Sequence, residues 1–256
     1  GRPHSSWIAS ASVDGTVRVW RDSDKPVVLS GHRGAVRGLA ISPDGTLLAS
    51  AGSDGTVRVH ALTGLGGGRS ESPEILDEHD GPLRSIAFNV TGSHALTLGE
   101  DGTACLWDSD GDARVFKGRD ETVSAAIFAS DGSRIVIGDE DGTIRIHEPS
   151  GRGQPPPLIQ GDGEVLGLAV SPDGNWLAAW FDDDVPVVCH LHNRGQIYWL
   201  EAHLGTVTGL SFSPDSRWLL SLCQDGKARL FDLSRPGLST PRVSSEEAER
   251  GAFLQA

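Results

Sequence analysis

Three short clusters in this chain hold residue types that do chemistry. Cys189, His190 and His192 bring together a thiol and two imidazoles, the ligand types that zinc prefers. Asp182, Asp183 and Asp184 crowd three carboxylates, as a hard cation requires. Asp108-Ser109-Asp110-Gly111-Asp112 opens like a calcium loop. Each falls short on its own terms. Neighbours along a strand point to opposite faces, so Cys189 turns away from both histidines. The Asp108 segment lacks the distal Glu that completes a calcium shell and reads as a hairpin. The three consecutive aspartates read as a turn. The chain has no Gly-x-Ser-x-Gly elbow and no Gly-Lys-Ser/Thr phosphate loop. Gly161-Asp162-Gly163, with Gly167 beyond, reads as a connecting loop. Asn89-Val90-Thr91 has the pattern of a glycosylation acceptor. No catalytic residue, metal or cofactor is expected.

What must position these residues is a repeat. Asp14, Asp54, Asp101, Asp141 and Asp225 each precede Gly, and each is followed six residues later by a ring: Trp20, His60, Trp107, His147 and Phe231. A degenerate copy is read at Asp184, with His190 as its ring. Successive copies are separated by 40, 47, 40, 43 and 41 residues. A period near forty means one supersecondary unit copied along the chain. Ser42-Pro43-Asp44-Gly45 keeps the same beat at Ala129-Ser130-Asp131-Gly132, Ser171-Pro172-Asp173-Gly174 and Ser213-Pro214-Asp215-Ser216. So does Gly31-His32, matched by Glu78-His79 and Ala202-His203. Within one unit, Val36–Ile41, Leu47–Ala51, Thr56–His60 and Pro73–Leu76 read as four short antiparallel strands joined by turns. No stretch carries an apolar stripe at helical spacing.

Such a sheet cannot cover both its faces, so copies must stack. Gly31-His32, Asp54-Gly55-Thr56-Val57-Arg58-Val59 and Leu106-Trp107-Asp108 resemble the hallmark segments of the WD-repeat β-propeller family. The resemblance runs from about Ile8 to Asp232. It implies an all-β propeller with six blade units, at about 5–30, 31–77, 78–118, 119–161, 162–202 and 203–243. The first lacks its inner strand, and 244–256 is a tail or a closing strand. It also implies a hydrogen-bond chain in each blade, formed in the second by His32, Ser50, Asp54 and His60. Asp14, Trp20, His79, Asp101, Trp107, Asp141, His147, His203, Asp225 and Phe231 take equivalent places. Gly118-Arg119 and Gly161-Asp162 stand where the fourth and fifth blades need Gly-His, so those chains are incomplete and those blades are expected to be looser.

The mid-blade start and the absence of Met suggest an excerpt of a longer repeat protein, although Ala252 to Gln255 lies where a ring-closing strand would fall. Arg far outnumbers Lys, which occurs only at Lys25, Lys117 and Lys227, a bias suggesting a GC-rich, bacterial genome. The formal net charge of −13 argues against nucleic acid as a partner. No apolar run is long enough to span a membrane. Cys105, Cys189 and Cys223 fall in three different units, as buried small side chains in a reducing, cytoplasmic compartment would.

The expected function is a non-catalytic scaffold that binds a protein or peptide. The resemblance places partners on the face bearing the Asp-Gly turns, and makes a sensor or regulatory arm of a larger signalling protein the natural context. The residue before each turn Asp points there: Val13, Ser53, Glu100, Glu140, Asp183 and Gln224. So does the residue after the first apolar position of each inner strand: Arg37, Arg84, Ser124, Leu166 and Thr208. Arg37 and Arg84 make a basic arc; Glu100, Glu140, Glu164 and Asp183 make an acidic one that would attract a basic segment of a partner. A small-ligand sensor and a hydrolase or lyase working at the channel mouth are the alternatives.

Overall fold

The computed structural model describes residues 7–21, 25–65, 72–118, 122–151, 153–182, 185–191, 196–200, 203, 205–234 and 242–243. The chain divides into two compact units, Gly1–Val123 and Ser124–Ala256. In the first, β1 (Trp7–Ala11), β2 (Val17–Arg21) and β3 (Val27–Leu29) form a three-stranded sheet. The second sheet is β4 (Val36–Ile41), β5 (Leu47–Gly52), β6 (Val57–Ala61) and β7 (Glu74–Leu76). The third is β8 (Leu83–Phe88), β9 (Ala95–Gly99), β10 (Thr103–Trp107) and β11 (Ala113–Lys117). In the second unit, the fourth sheet is β12 (Val123–Phe128, its first residue belonging to the first unit), β13 (Ile135–Asp139), β14 (Thr143–His147) and β15 (Ile159–Gln160). The fifth is β16 (Val165–Val170), β17 (Trp176–Phe181), β18 (Val187–His190) and β19 (Ile197–Trp199). The sixth is β20 (Val207–Phe212), β21 (Trp218–Cys223), β22 (Ala228–Asp232) and β23 (Arg242–Val243). The chain is all-β, and its sheets are antiparallel meanders of the kind expected of propeller blades. Among the described residues no helix is long and apolar enough to cross a membrane.

Burial on both faces explains why β5 is an apolar run rather than an alternation. Leu48 packs toward the first sheet with Val17, Val19 and Leu62, whereas Ala49 and Ala51 pack toward the third with Leu83, Ile86 and Trp107. Leu48 and Leu62 are fully buried, each stabilising the unit by about 1.5–3 kcal/mol. In the second unit, Leu177 and Phe181 face the fourth sheet, and Ala178 and Val188 face the sixth. The strands end in turns closed by side chains. Gly55 takes a left-handed φ of 80° while the Asp54 carboxylate accepts the Thr56 N–H at 3.2 Å. At the other end of the strands, Ser42 donates to Asp44 at 2.5 Å and accepts the Leu47 N–H at 2.9 Å.

The fifth sheet departs from the sequence reading by one residue. Val36 lies opposite Gly52, and the Ser53 N–H donates to the Ala35 carbonyl at 2.8 Å. In the fifth sheet Val165 lies opposite Phe181, and the Asp182 N–H donates to the Glu164 carbonyl at 3.1 Å. Asp182, not Asp183, therefore precedes the turn position. The ring position shifts too. Leu48 pairs with His60 in the second sheet, and its counterpart Leu177 pairs with Cys189. Cys189, not His190, occupies the ring's place and is fully buried. A one-residue slip moves a side chain to the opposite face, so His190 instead packs edge-on against Trp176, with ring centroids 4.7 Å apart. Three consecutive aspartates concealed which one belonged to the turn. Asp183, Asp184 and His192, like residues 244–256, lie outside the described residues.

Candidate partner-binding surface

The sheets differ in how they hold the turn that presents this surface. The third sheet carries the full hydrogen-bond chain. Trp107 Nε1 donates to Thr97 Oγ1 at 2.9 Å, Thr97 Oγ1 lies 2.8 Å from His79 Nε2, and His79 Nδ1 lies 3.1 Å from Asp101. With the Nδ1–H donated to the acceptor-only carboxylate, every member is satisfied in one direction. In the second sheet His32 lies 3.0 Å from Asp54 and 2.9 Å from Ser50. His60 does not complete that chain, because its buried Nδ1 makes no hydrogen bond. Burial, then the charges of Arg58 and His32, lower the His60 pKa. In the first sheet, Asp14 is exposed and is held at about 2 by the Thr16 hydroxyl and N–H, while Trp20 is half-buried.

Two residues before the turn Asp stands a position that sequence reading missed. It is Gly52 in the second sheet and Gly99 in the third, where a Cβ at Gly99 would lie 2.5 Å from His79 Nδ1. In the fourth sheet the position is Asp139, which pairs with buried Arg145 at 2.7 Å. Asp141 there accepts the Thr143 N–H at 2.8 Å, and His147 is buried. In the fifth sheet the position is Phe181, whose ring fills the space a Cβ on Gly161 would need. In the sixth it is Cys223. There His203 reaches Ser221 at 3.0 Å, but its Nδ1 faces Arg229 at 3.1 Å, and Arg229 takes Asp225 at 2.6 Å. The direct His203–Asp225 link implied by the resemblance is thus replaced by a guanidinium, with Phe231 buried beside it. The signal was in the sequence: glycine gives way at this position to Asp139, Phe181 and Cys223 in the last three units.

These carboxylates make stability acid-sensitive. Burial alone would raise the Asp54 carboxyl, but hydrogen bonds from the Arg33 N–H, His32 and Thr56 outweigh it and hold the group at about 2. Asp101 is lowered in the same way, its burial outweighed by bonds from Thr103 and the Asp80 N–H. A folded pKa below the unfolded value of about 3.9 stabilises above pH ~4 and is lost as pH falls toward 2. Urea midpoints measured between those values should therefore fall more steeply for the natural chain than for an Asp54→Asn, Asp101→Asn variant. Equal slopes would refute the assignment.

At the end of the sheets bearing the Asp-Gly turns, four inner strands carry a β-bulge. The register shifts between Val36 and Gly38, Leu83 and Ser85, Val165 and Gly167, and Val207 and Gly209. The bulged residues are Arg37, Arg84, Leu166 and Thr208, and all four are exposed. A bulge re-aims the side chain it carries, which is why these positions reach the surface. Beside them, the backbone N–H groups of Ser53, Glu100, Asp182 and Gln224 donate to Ala35, Pro82, Glu164 and Thr206 at 2.8, 2.8, 3.1 and 3.0 Å. Ser124 is half-buried and donates to the Val165 carbonyl at 2.9 Å, so its hydroxyl is engaged within the second unit. Glu140 is exposed and Glu164 half-buried. In the first unit Arg37 forms an ion pair with Glu100. The expected division into a basic and an acidic arc fails here, because the fold brings the two charges together.

The other chemical clusters are engaged in the fold. Asn89 is 3% exposed, and its carboxamide oxygen accepts the His94 N–H at 3.2 Å, so the glycosylation pattern is closed to modification. Asp108 accepts the N–H groups of Asp110 and Asp112 at 2.9 and 3.0 Å, closing its own hairpin. Burial pushes the Cys105 thiol up to about 12 and raises Cys189, which leaves both unreactive.

Comparison with known proteins follows the same pattern. The chain is 27% identical over 162 residues to the small ribosomal subunit protein RACK1y of Oryza sativa subsp. japonica, covering 59% of this chain and 46% of that protein. It is 34% identical over 68 residues to the probable cytosolic iron-sulfur protein assembly protein 1 of Candida glabrata, covering 22% of this chain and 20% of that protein. The chain thus spans less than half the length of either relative. Both come from eukaryotes, so the bacterial origin suggested by the Arg bias finds no support in them. The WD40 profile, described as WD domain, G-beta repeat, matches residues 2–21, 24–60, 70–108, 112–148 and 194–232. With the repeats matched over most of its length and the sheets built as those repeats require, this chain belongs to the WD40 family.

Proposed function

We propose that the chain is a non-catalytic scaffold that binds protein or peptide partners on the end of its sheets bearing the Asp-Gly turns. One observation carries this reading: four bulges, in both units, lift Arg37, Arg84, Leu166 and Thr208 to the surface beside the turns. A bulge that only bent a strand would not require exposed side chains of three different chemistries. The first unit presents a compensated Arg37–Glu100 pair with Ser53 and Arg84; the second presents Ser124, Glu140, Glu164, Leu166, Thr208 and Gln224, with Asp182 in the place read as Asp183. The acidic side chains of the second unit favour a basic segment of the partner. A cytoplasmic setting accords with the word cytosolic in the Candida relative's name, and a regulatory arm of a larger signalling protein remains the context that the WD-repeat resemblance suggests. Nucleic acid and membrane are not proposed as partners of a chain carrying a formal net charge of −13.

Photo-crosslinking from position 140 would identify the partner, and titration with the purified partner would measure it. Glu140→Lys, Glu164→Lys and Asp182→Lys together are expected to weaken binding by tenfold or more at low salt, with the difference shrinking as salt rises. Affinity unchanged at low salt would end the reading of this surface.

A further inference from the structure

The fifth sheet is the one whose three inner strands fall outside the family match, which skips residues 149–193. Its composition has drifted accordingly. Phe181 fills the space held elsewhere by histidine, and an aromatic residue stands at a characteristic outer position. Val28, Ile75 and Val115 are the equivalent residues of the first three sheets, 52%, 50% and 37% exposed. In the fifth sheet that residue is Trp199, 42% exposed. One side of the indole rests toward Phe181, with ring centroids 6.1 Å apart, and the rest is open.

Trp199 lies at the turn end of its sheet. It pairs with Val187, the first residue of β18, and the next residue's N–H, on Leu200, donates to the Pro186 carbonyl at 2.9 Å. The same end holds Asp162, Glu164 and Asp182, and residues 153–200 include no Lys or Arg among those described. An exposed π-face at the end of the sheet that holds these carboxylates suits a positively charged side chain. The backbone offers a second handle. β19 is the outer strand of its sheet, with no further strand paired to it among the described residues. Gln196 and Leu200 direct their backbone groups to β18, so by antiparallel alternation those of Ile197 and Trp199 face the open edge.

We infer that the β19 edge of the fifth sheet, with Trp199 and the carboxylates at the same end, docks an extended basic segment of a partner protein, which adds as a strand and lays a Lys or Arg side chain over the indole. Strand addition supplies affinity through the main chain, and the aromatic and carboxylate groups supply the choice of charge. The inference rests on the scaffold reading, shares Glu164 and Asp182 with it, and adds Trp199 and the β19 edge, which that reading does not contain.

A ten-residue peptide of alternating Lys and Val, titrated while tryptophan fluorescence is followed, tests it on the full chain. Binding is expected to weaken as salt rises. Trp199→Val, which installs the residue found at the equivalent positions 28 and 115, keeps a strand-forming side chain and should weaken binding about tenfold. Asp162→Asn with Asp182→Asn should flatten the salt dependence. The same peptide N-methylated on alternate backbone nitrogens should fail to bind. Equal affinity for a Glu-Val peptide, for the N-methylated peptide or for the Trp199→Val chain would overturn the site. So would self-association of the chain that Trp199→Val abolishes while no peptide binds. If Trp199→Val leaves the natural partner's affinity intact while the Glu140, Glu164 and Asp182 reversals still reduce it, this site falls and the scaffold reading stands. If neither set of changes alters binding to any partner, both fall.

Discussion

Gly99→Ala should cost the first unit about 3 kcal/mol or more, a large loss for the addition of one methyl group. The added Cβ would lie 2.5 Å from His79 Nδ1 and closer still to the Asp101 carboxylate. Neither can retreat. The His79 side chain is fully buried and held by Thr97, while Asp101 is anchored by the N–H groups of Asp80 and Thr103 at 2.9 and 3.0 Å. Accommodating the methyl group means breaking the hydrogen-bond chain that closes the turn. The denaturation midpoint should drop with an unchanged m-value. Gly209→Ala is the control: its Cβ would meet nothing within 4 Å, so its cost should stay below about 1 kcal/mol. Adding His79→Ala to Gly99→Ala should cost less than the two single changes combined, because the second substitution removes the group that the first one strikes. A Gly99→Ala chain as stable as its parent would refute the packing described for this site.

Arg145→Leu should destabilise the second unit by about 3–5 kcal/mol. Arg145 is 7% exposed and Asp139 3%, at 2.7 Å from one another. Removing the guanidinium strips a buried carboxylate of its countercharge, and that penalty exceeds the net worth of the pair itself. Replacing both partners with Leu should recover most of the loss, since no charge then remains to be desolvated. Thermal unfolding of the single and double variants separates the two terms. A single variant that loses less than about 1 kcal/mol would show that this ion pair does not hold the fourth sheet together. The pair also explains how that sheet manages without the Gly-His segment: Asp139 takes the place glycine needs only when a histidine packs over it.

Much of this was readable from residue types. The Asp-Gly turns had to be turns because Gly55 supplies the left-handed backbone that other residues resist, and the alternation beside them had to be strands. His32, Ser50 and Asp54 could be placed together because the WD-repeat resemblance implies a hydrogen-bond chain among them. The fifth sheet is where residue order misled. Choosing Asp184 over Asp183 looked harmless in one dimension, yet it exchanged His190 for Cys189 at a core position. The bulges escaped notice because an extra residue in a six-residue strand leaves the apolar pattern nearly intact.

By itself, the order of residues determined the repeat, the all-β class and the ends of most strands, because turn chemistry and hydrophobic period act over a few neighbouring residues. Only the tertiary structure decided which side chains share a space: Arg37 with Glu100, Arg145 with Asp139, Arg229 with Asp225 and His203, Trp199 with Phe181. Those pairings depend on strand register and on how one sheet lies against the next, and a single residue of register is enough to turn a core position into a surface one.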